Sequence, residues 1–229
     1  MNTKDKLKRK SAEKAVEFVK SGMVLGFGTG STFNHVLYVL AEKLNSSELK
    51  NIVGVSSSEK TEKIARGLNI PTDSLANNLK LDLTIDGADE VDEKLNLIKG
   101  GGASLLREKV IAQASKEYVI IVDESKVSKS LGEKWPIPIE VIKMAIDVET
   151  VFLKSLGAEV KQRMDADGNK LITDEGNYIL DANFGVIANS KKLARKIEKR
   201  AGIVEHGLFV KMANYVVIAR EDKIEVLER

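Results

Sequence analysis

Residues 86–109 read DGADEVDEKLNLIKGGGASLLREK, gathering acids, lysines and three consecutive glycines in one short segment. Carboxylates can move protons or accept hydrogen bonds from hydroxyls, and uncovered backbone amides can hold an oxyanion. In KGGGAS (99–104), Gly100, Gly101 and Gly102 open a helix with no side chains over their amides, and Lys99 adds a cation beside them. Three glycines in a row lose much conformational freedom on folding, which favours a purpose over an incidental loop. In DGADEVDE (86–93), Asp86 and Asp89 suit sugar hydroxyls or a proton. Taken alone, that stretch reads first as a solvated acidic turn, with a divalent-cation site as a third reading. Its spacing is not that of an EF-hand loop, and DADGN at 165–169 fails the same test because Lys170 stands where the glycine belongs. Glu108 lies between Arg107 and Lys109, and spacing alone makes it part of a solvated helix face.

A second glycine cluster, GFGTGSTF (26–33), sits between a strand-like and a helical run. Exposed amides at a helix start favour an anion, and Thr29, Ser31 and Thr32 add hydroxyls around Gly30. A dinucleotide fingerprint would place glycine where Ser31 stands and an acid where the next strand ends in SSS. A P-loop needs Gly-Lys, which the chain lacks. Position and hydroxyl content favour a simple phosphate over a plain helix cap. Lys126, in VDESK after another strand, sits where strand ends gather and suits a phosphate or a hydroxyl. His35 reads as structural, His206 has no evident partner, and Trp135, Met144 and Met164 read as packing.

Strands and helices must position these groups. MVLGF (23–27), NIVGVSSS (51–58), LDLTID (81–86) and YVIIVDES (118–125) read as strands separated by helical runs, one with Phe33, Val36, Leu37, Leu40 and Leu44 at helical spacing. A further helix is expected from about Ala103 to Ala114. Strands joined by helical crossovers imply a mostly parallel sheet covered on both faces. The pattern changes after Leu131. WPIPIEVI (135–142) reads as an edge strand because of its prolines, followed by a helix from about Asp147 to Leu156. AEVKQRM, the turn DADGN, KLITDE and NYILDANF then read as strand, hairpin, strand and strand, before the basic helix SKKLARKIEKR (190–200). HGLFV and NYVVIAR are expected to return to the first sheet. The fold class is therefore α/β: a Rossmann-like, mostly parallel sheet domain (1–131 plus 206–229) with a smaller inserted α+β domain of split-βαβ, ferredoxin-like type (132–205).

The chain has 229 residues, 43% hydrophobic and 31% charged, with a formal net charge of +2. That near balance argues against nucleic acid as the main partner. With no cysteine and two histidines, disulfides, thiolate chemistry and histidine-rich metal sites are excluded. The basic N-terminus, with Leu7, Ala15, Phe18 and Val19 as its apolar positions, reads as an amphipathic helix stopped by Gly22 rather than a signal peptide or a membrane-surface helix. No apolar run reaches membrane-spanning length, and the expected location is the cytoplasm.

The ordered set GTGST (28–32), TIDGADE (84–90), IKGGGASLLREK (98–109) and VDESK (122–126), with PIPIEVI and DEGNYILD further on, closely resembles the type A ribose-5-phosphate isomerases over nearly the full length. The resemblance implies an aldose–ketose isomerase acting on D-ribose 5-phosphate without metal or other cofactor, as a homodimer or homotetramer. It implies that Glu108 is the base. It places Thr29, Gly30, Ser31, Thr32, Asp86, Gly87, Ala88, Asp89, Lys99, Gly100, Gly101, Gly102 and Lys126 on the substrate. Opening a closed sugar ring needs acid–base help at the ring and anomeric oxygens, for which Asp86 is the candidate and Lys99 its partner. Departures at Phe33, Ser104 and Leu106 leave those positions intact. A coenzyme A transferase, a sugar-phosphate deaminase and a sugar-phosphate sensor without turnover are the rival readings.

Overall fold

The computed structural model describes residues 3–229. Its elements begin with α1 (Thr3–Val16), β1 (Val24–Phe27), α2 (Ser31–Asn45), β2 (Val53–Ser56), α3 (Glu59–Gly67) and β3 (Leu81–Gly87). Short strands β4 (Glu90–Val91) and β5 (Leu97–Ile98) precede α4 (Leu105–Ala114) and β6 (Ser115–Asp123). There follow β7 (Ile137–Val141), α5 (Ile146–Ser155), β8 (Glu159–Gln162), β9 (Tyr178–Asn183), α6 (Ser190–Ile197) and β10 (Ile203–His206). The chain closes with β11 (Leu208–Phe209), β12 (Tyr215–Ala219) and β13 (Ile224–Glu228). Two compact units result. One holds residues up to Ala88 with Arg107–Val127 and Met212–Arg229; the other holds Asp89–Leu106 and Ser128–Lys211. Among the described residues no helix is long and apolar enough to cross a membrane.

The first unit is built on a six-stranded sheet in the order β13-β12-β6-β3-β1-β2. All neighbours run parallel except β13, which returns antiparallel on β12. Burial explains both placements. Val119, Ile120, Ile121 and Val122 of β6 are fully buried, as a strand covered on both faces must be. In β13, half-buried and exposed residues alternate, which suits an edge. Phe33, Val36, Leu37 and Leu40 of α2 are buried as their spacing predicts, each contributing about 1.5–3 kcal/mol of transfer free energy. The first helix is shorter than expected: it ends at Val16, and Phe18 and Val19 lie in turns. Gly22, at φ +86°, instead turns the chain into β1 and donates its N–H to the Lys50 carbonyl. The helix expected from Ala103 starts at Leu105, because Ala103 adopts a left-handed φ of +62°.

In the second unit the order β7-α5-β8-β9-α6-β10 folds into a fully antiparallel sheet, β10-β7-β9-β8. This is the expected split-βαβ layout, and Ile137, Ile139, Val141, Leu153, Leu180, Ala194 and Ile197 form its core. A separate small sheet has the order β11-β5-β4. Three expectations need correction. β7 is a central strand, not an edge. Pro138 is tolerated there because its carbonyl accepts from Gly207 N–H, so its ring nitrogen faces the side where β10 pairing has run out past Ile139↔His206. KLITDE is not a strand: only the isolated bridges Met164↔Lys170 and Ile172↔Tyr178 form, because the chain turns back on itself at residues 173–177, where Thr173 N–H donates to the Asn177 carbonyl and Gly176 N–H to the Thr173 carbonyl. HGLFV does not return to the first sheet, because Leu208–Phe209 pairs with Leu97–Ile98.

Candidate active site

In the first unit the site grows from the carboxyl ends of β1 and β3, the edge at which open α/β sheets bind ligands. Gly28 N–H continues the ladder to the Ile85 carbonyl, 3.0 Å away. Thr29 N–H then donates to Asp86 Oδ1 at 3.1 Å, and Gly87 N–H donates to the same oxygen at 2.7 Å. Tyr118 O–H donates to Asp86 Oδ2 at 3.2 Å. Asp86, only 1% exposed, is thus held by backbone and phenol donors inside the protein. Gly28 is required by this approach, since a Cβ there would lie 2.1 Å from Asp86 Oδ1.

The hydroxyls of the first glycine cluster divide into two sets. Thr29 Oγ1 bonds to Ser57 Oγ (2.8 Å) and Ser58 Oγ (2.9 Å), while Thr61 Oγ1 donates to the Gly28 carbonyl (3.0 Å). Thr29 therefore fixes the shape of the loop. Gly30, at φ +115°, swings the chain into α2, whose first residue is Ser31. The opening amides of this 15-residue helix lack intrahelical acceptors and form its positive end. Gly30 and Ser31 are exposed and Thr32 is half-buried, so this is the part of the loop a ligand can reach. Lys8 Nζ from α1 donates to Ser31 Oγ at 2.9 Å, bringing a cation to the same place.

Glu108 lies in the first turn of α4 and is 3% exposed, so the solvated-face reading is wrong for it. The Tyr118 phenol is pushed well above its usual range, first by burial and then by the charges of Asp86 and Glu108. One buried phenol thus feels both carboxylates. Lys126 ends a short 3₁₀ turn directly after β6 and is half-buried. Asp123 caps that turn by accepting Ser125 N–H at 2.9 Å.

In the second unit, Lys99 is 2% exposed, with Nζ 5.6 Å from the Phe209 ring centroid. Its N–H donates to the Gly207 carbonyl at 2.9 Å, which ties it to β11. Gly100, at φ +100°, begins a tight turn closed by Ala103 N–H on the Gly100 carbonyl at 3.0 Å. Gly101 N–H donates to Asp89 Oδ2 at 2.7 Å. Glu90, fully buried, accepts from the N–H groups of Gly132, Glu133, Lys134 and Trp135 at 3.0–3.2 Å. Asp92 accepts from the amides of Lys94 and Asn96. The acidic stretch 86–93 is therefore not a solvated turn: four of its carboxylates are held by specific donors.

The first unit brings together the loop at 28–32, Asp86, Gly87 and, around Tyr118, Glu108. The second brings together Asp89 and the glycines after Lys99. Sequence reading missed Lys8, Thr61 and Tyr118. Lys8 precedes Ser31 by 23 residues, and no local pattern joins them. The polar SSS and T following β2 were visible, but not their turn back onto Gly28.

Residues 53–223 match the family described as ribose 5-phosphate isomerase A (phosphoriboisomerase A). The chain is 48% identical over 228 residues to ribose-5-phosphate isomerase A of Desulfatibacillum aliphaticivorans, covering 100% of this chain and 99% of the relative. Among solved structures, a D-ribose-5-phosphate isomerase in complex with phospho-erythronic acid superposes with a TM-score of 0.97 at 37% identity, covering 100% of both chains. The Plasmodium falciparum ribose 5-phosphate isomerase gives 0.95 at 39%, covering 98% of this chain and 99% of the other.

Proposed function

The chain belongs to the ribose 5-phosphate isomerase A family, and from that premise we propose how its residues interconvert D-ribose 5-phosphate and D-ribulose 5-phosphate in the pentose phosphate pathway. The reaction needs one base that takes a proton from the carbon beside a carbonyl and returns it one carbon away. Glu108 is that base. The observation that carries this assignment is its burial in the first turn of α4, where its charge and that of Asp86 act on the same phenol. Shielding from water lets a carboxylate work on a weakly acidic carbon–hydrogen bond.

Asp86 accepts hydrogen bonds at both oxygens and is suited to draw a proton from the anomeric hydroxyl as the sugar ring opens. Lys99 is the cation that assists ring opening and holds the developing oxyanion within the Gly100, Gly101 and Gly102 loop, where the Gly101 N–H is taken by Asp89 and the Gly102 amide is left to face the oxyanion. Gly87, Ala88 and Asp89 take sugar hydroxyls. The phosphate lies on the amides and hydroxyls of Gly30, Ser31 and Thr32, in the loop that Thr29 shapes, with Lys126 as a further contact. Lys8, already on Ser31, joins that set. Phosphate binding far from the reacting carbons orients them. The same reading gives a cytoplasmic enzyme that works as a homodimer or homotetramer.

The test is turnover of ribose 5-phosphate in excess chelator. Undiminished formation of ribulose 5-phosphate is the expected result. Inhibition that added magnesium reverses would restore a metal to the acidic segment, and binding without product would leave a sensor.

A further inference from the structure

We infer that Arg163, paired with Asp181, is a positioning residue for the glycine loop: it holds the Gly100 and Gly101 carbonyls so that the Gly102 amide faces the substrate's developing oxyanion. The inference rests on the reading of that loop as an oxyanion site.

Arg163 follows β8 and has a side chain only 14% exposed. Its backbone is fixed on both sides, by Arg163 N–H on the Ile179 carbonyl and Leu171 N–H on the Arg163 carbonyl. One edge of the guanidinium grips Asp181 of β9 through Nε and Nη2. The remaining nitrogen, Nη1, donates to the Gly100 carbonyl at 2.6 Å and the Gly101 carbonyl at 3.2 Å. A planar fork with five donors can serve a carboxylate and two carbonyls at once; a lysine cannot.

The consequence follows from peptide planarity, which points C=O and N–H in opposite directions. The Gly100–Gly101 peptide is held at both ends, by Arg163 at its carbonyl and by Asp89 at its N–H. The Gly101–Gly102 peptide is held at its carbonyl alone. Among the described residues nothing accepts the Gly102 N–H, and Gly102 is exposed. Peptides flanked by glycine meet little steric resistance to flipping. A flip here would present a carbonyl oxygen to a negatively charged enediolate. Arg163 prevents that by keeping both carbonyls on its own side.

The experiment compares Arg163→Met with the parent in the full chain. It measures kcat and KM for ribose 5-phosphate, the inhibition constant of phospho-erythronic acid, whose planar carboxylate mimics an enediolate, and thermal stability. The expected result is a fall in kcat of about ten- to hundredfold. Affinity for phospho-erythronic acid should weaken in step, while KM moves little and the protein stays folded. Unchanged kcat and inhibition, or equal loss in all three constants tracking a lower Tm, would overturn it. Arg163→Lys gives the same comparison if the methionine variant does not fold. Gly102→Pro removes the amide itself. If it loses kcat while the Arg163 variants do not, only the positioning role fails. If it leaves kcat and inhibition intact, the oxyanion reading fails and the inference with it.

Discussion

Gly28→Ala places a methyl group just past β1, against Asp86 of β3. The new carbon would lie 2.1 Å from Asp86 Oδ1, 2.3 Å from Asp86 Cγ and 2.6 Å from Asp86 Cα. Comfortable carbon contacts lie near ~3.5–4.0 Å, so the gap must open by about 1 Å. Rotating the Asp86 side chain cannot achieve this, because one of the three atoms is strand backbone. The Thr29 N–H bond to Asp86 must stretch or break. Overpacking costs about 1–3 kcal/mol and a lost bond to a charged acceptor about 1.5–3 kcal/mol, so the sum is about 4 kcal/mol. For a chain of this size that is a drop in Tm of about 8–16 °C. If Asp86 acts on the sugar, displacing it by about 1 Å should lower kcat by about a hundredfold. Thermal melts followed by circular dichroism and steady-state kinetics measure both. Gly22→Ala is the control: its Cβ meets nothing within 4 Å, so only the strain of φ +86° applies and kcat should hold. A Gly28→Ala protein with parental Tm and kcat would refute the close approach and the placement of Asp86 that depends on it.

Glu90→Gln puts an amide among four N–H donors, and denaturant unfolding should show a loss of about 3 kcal/mol; parental stability would show that those bonds contribute nothing net. Tyr118 should be the last of the four tyrosines to form phenolate as pH rises, by ultraviolet absorbance, and Tyr118→Phe should remove that component. Since its folded pKa is raised, its contribution to stability is complete below about pH 10 and is lost as pH climbs towards the folded value. A single titration of all four near pH 10 would contradict its burial between two carboxylates. Ser31→Ala and Lys8→Ala should raise KM by about tenfold with little change in kcat. An unchanged KM would take the phosphate away from the start of α2.

The parallel sheet and its crossovers were legible because β6 and α2 carry strong, unambiguous apolar patterns. The loops of the candidate site stood out because glycines and acids cluster along the chain where strands end. What escaped reading depends on tertiary pairing. Pro138 looked like an edge residue, yet it sits centrally because β10 stops one pair short of it. KLITDE has a strand-like composition but closes a local turn at residues 173–177 instead of pairing along its length. Lys8 and Arg163 act on loops far from them in sequence, and a lysine or arginine on a polar surface carries no local mark of its target. Glu108 looked solvated because Arg107 and Lys109 flank it, although the helix turns it inward.

Glu108→Gln tests the central claim most directly. The substitution keeps shape and hydrogen-bonding capacity while removing the base. Turnover should fall by about a hundred- to ten-thousandfold, with ribose 5-phosphate still bound at near-parental affinity and exchange of the substrate's carbon-bound proton with solvent lost in parallel. Near-parental turnover and exchange in the folded variant would show that another group moves the proton.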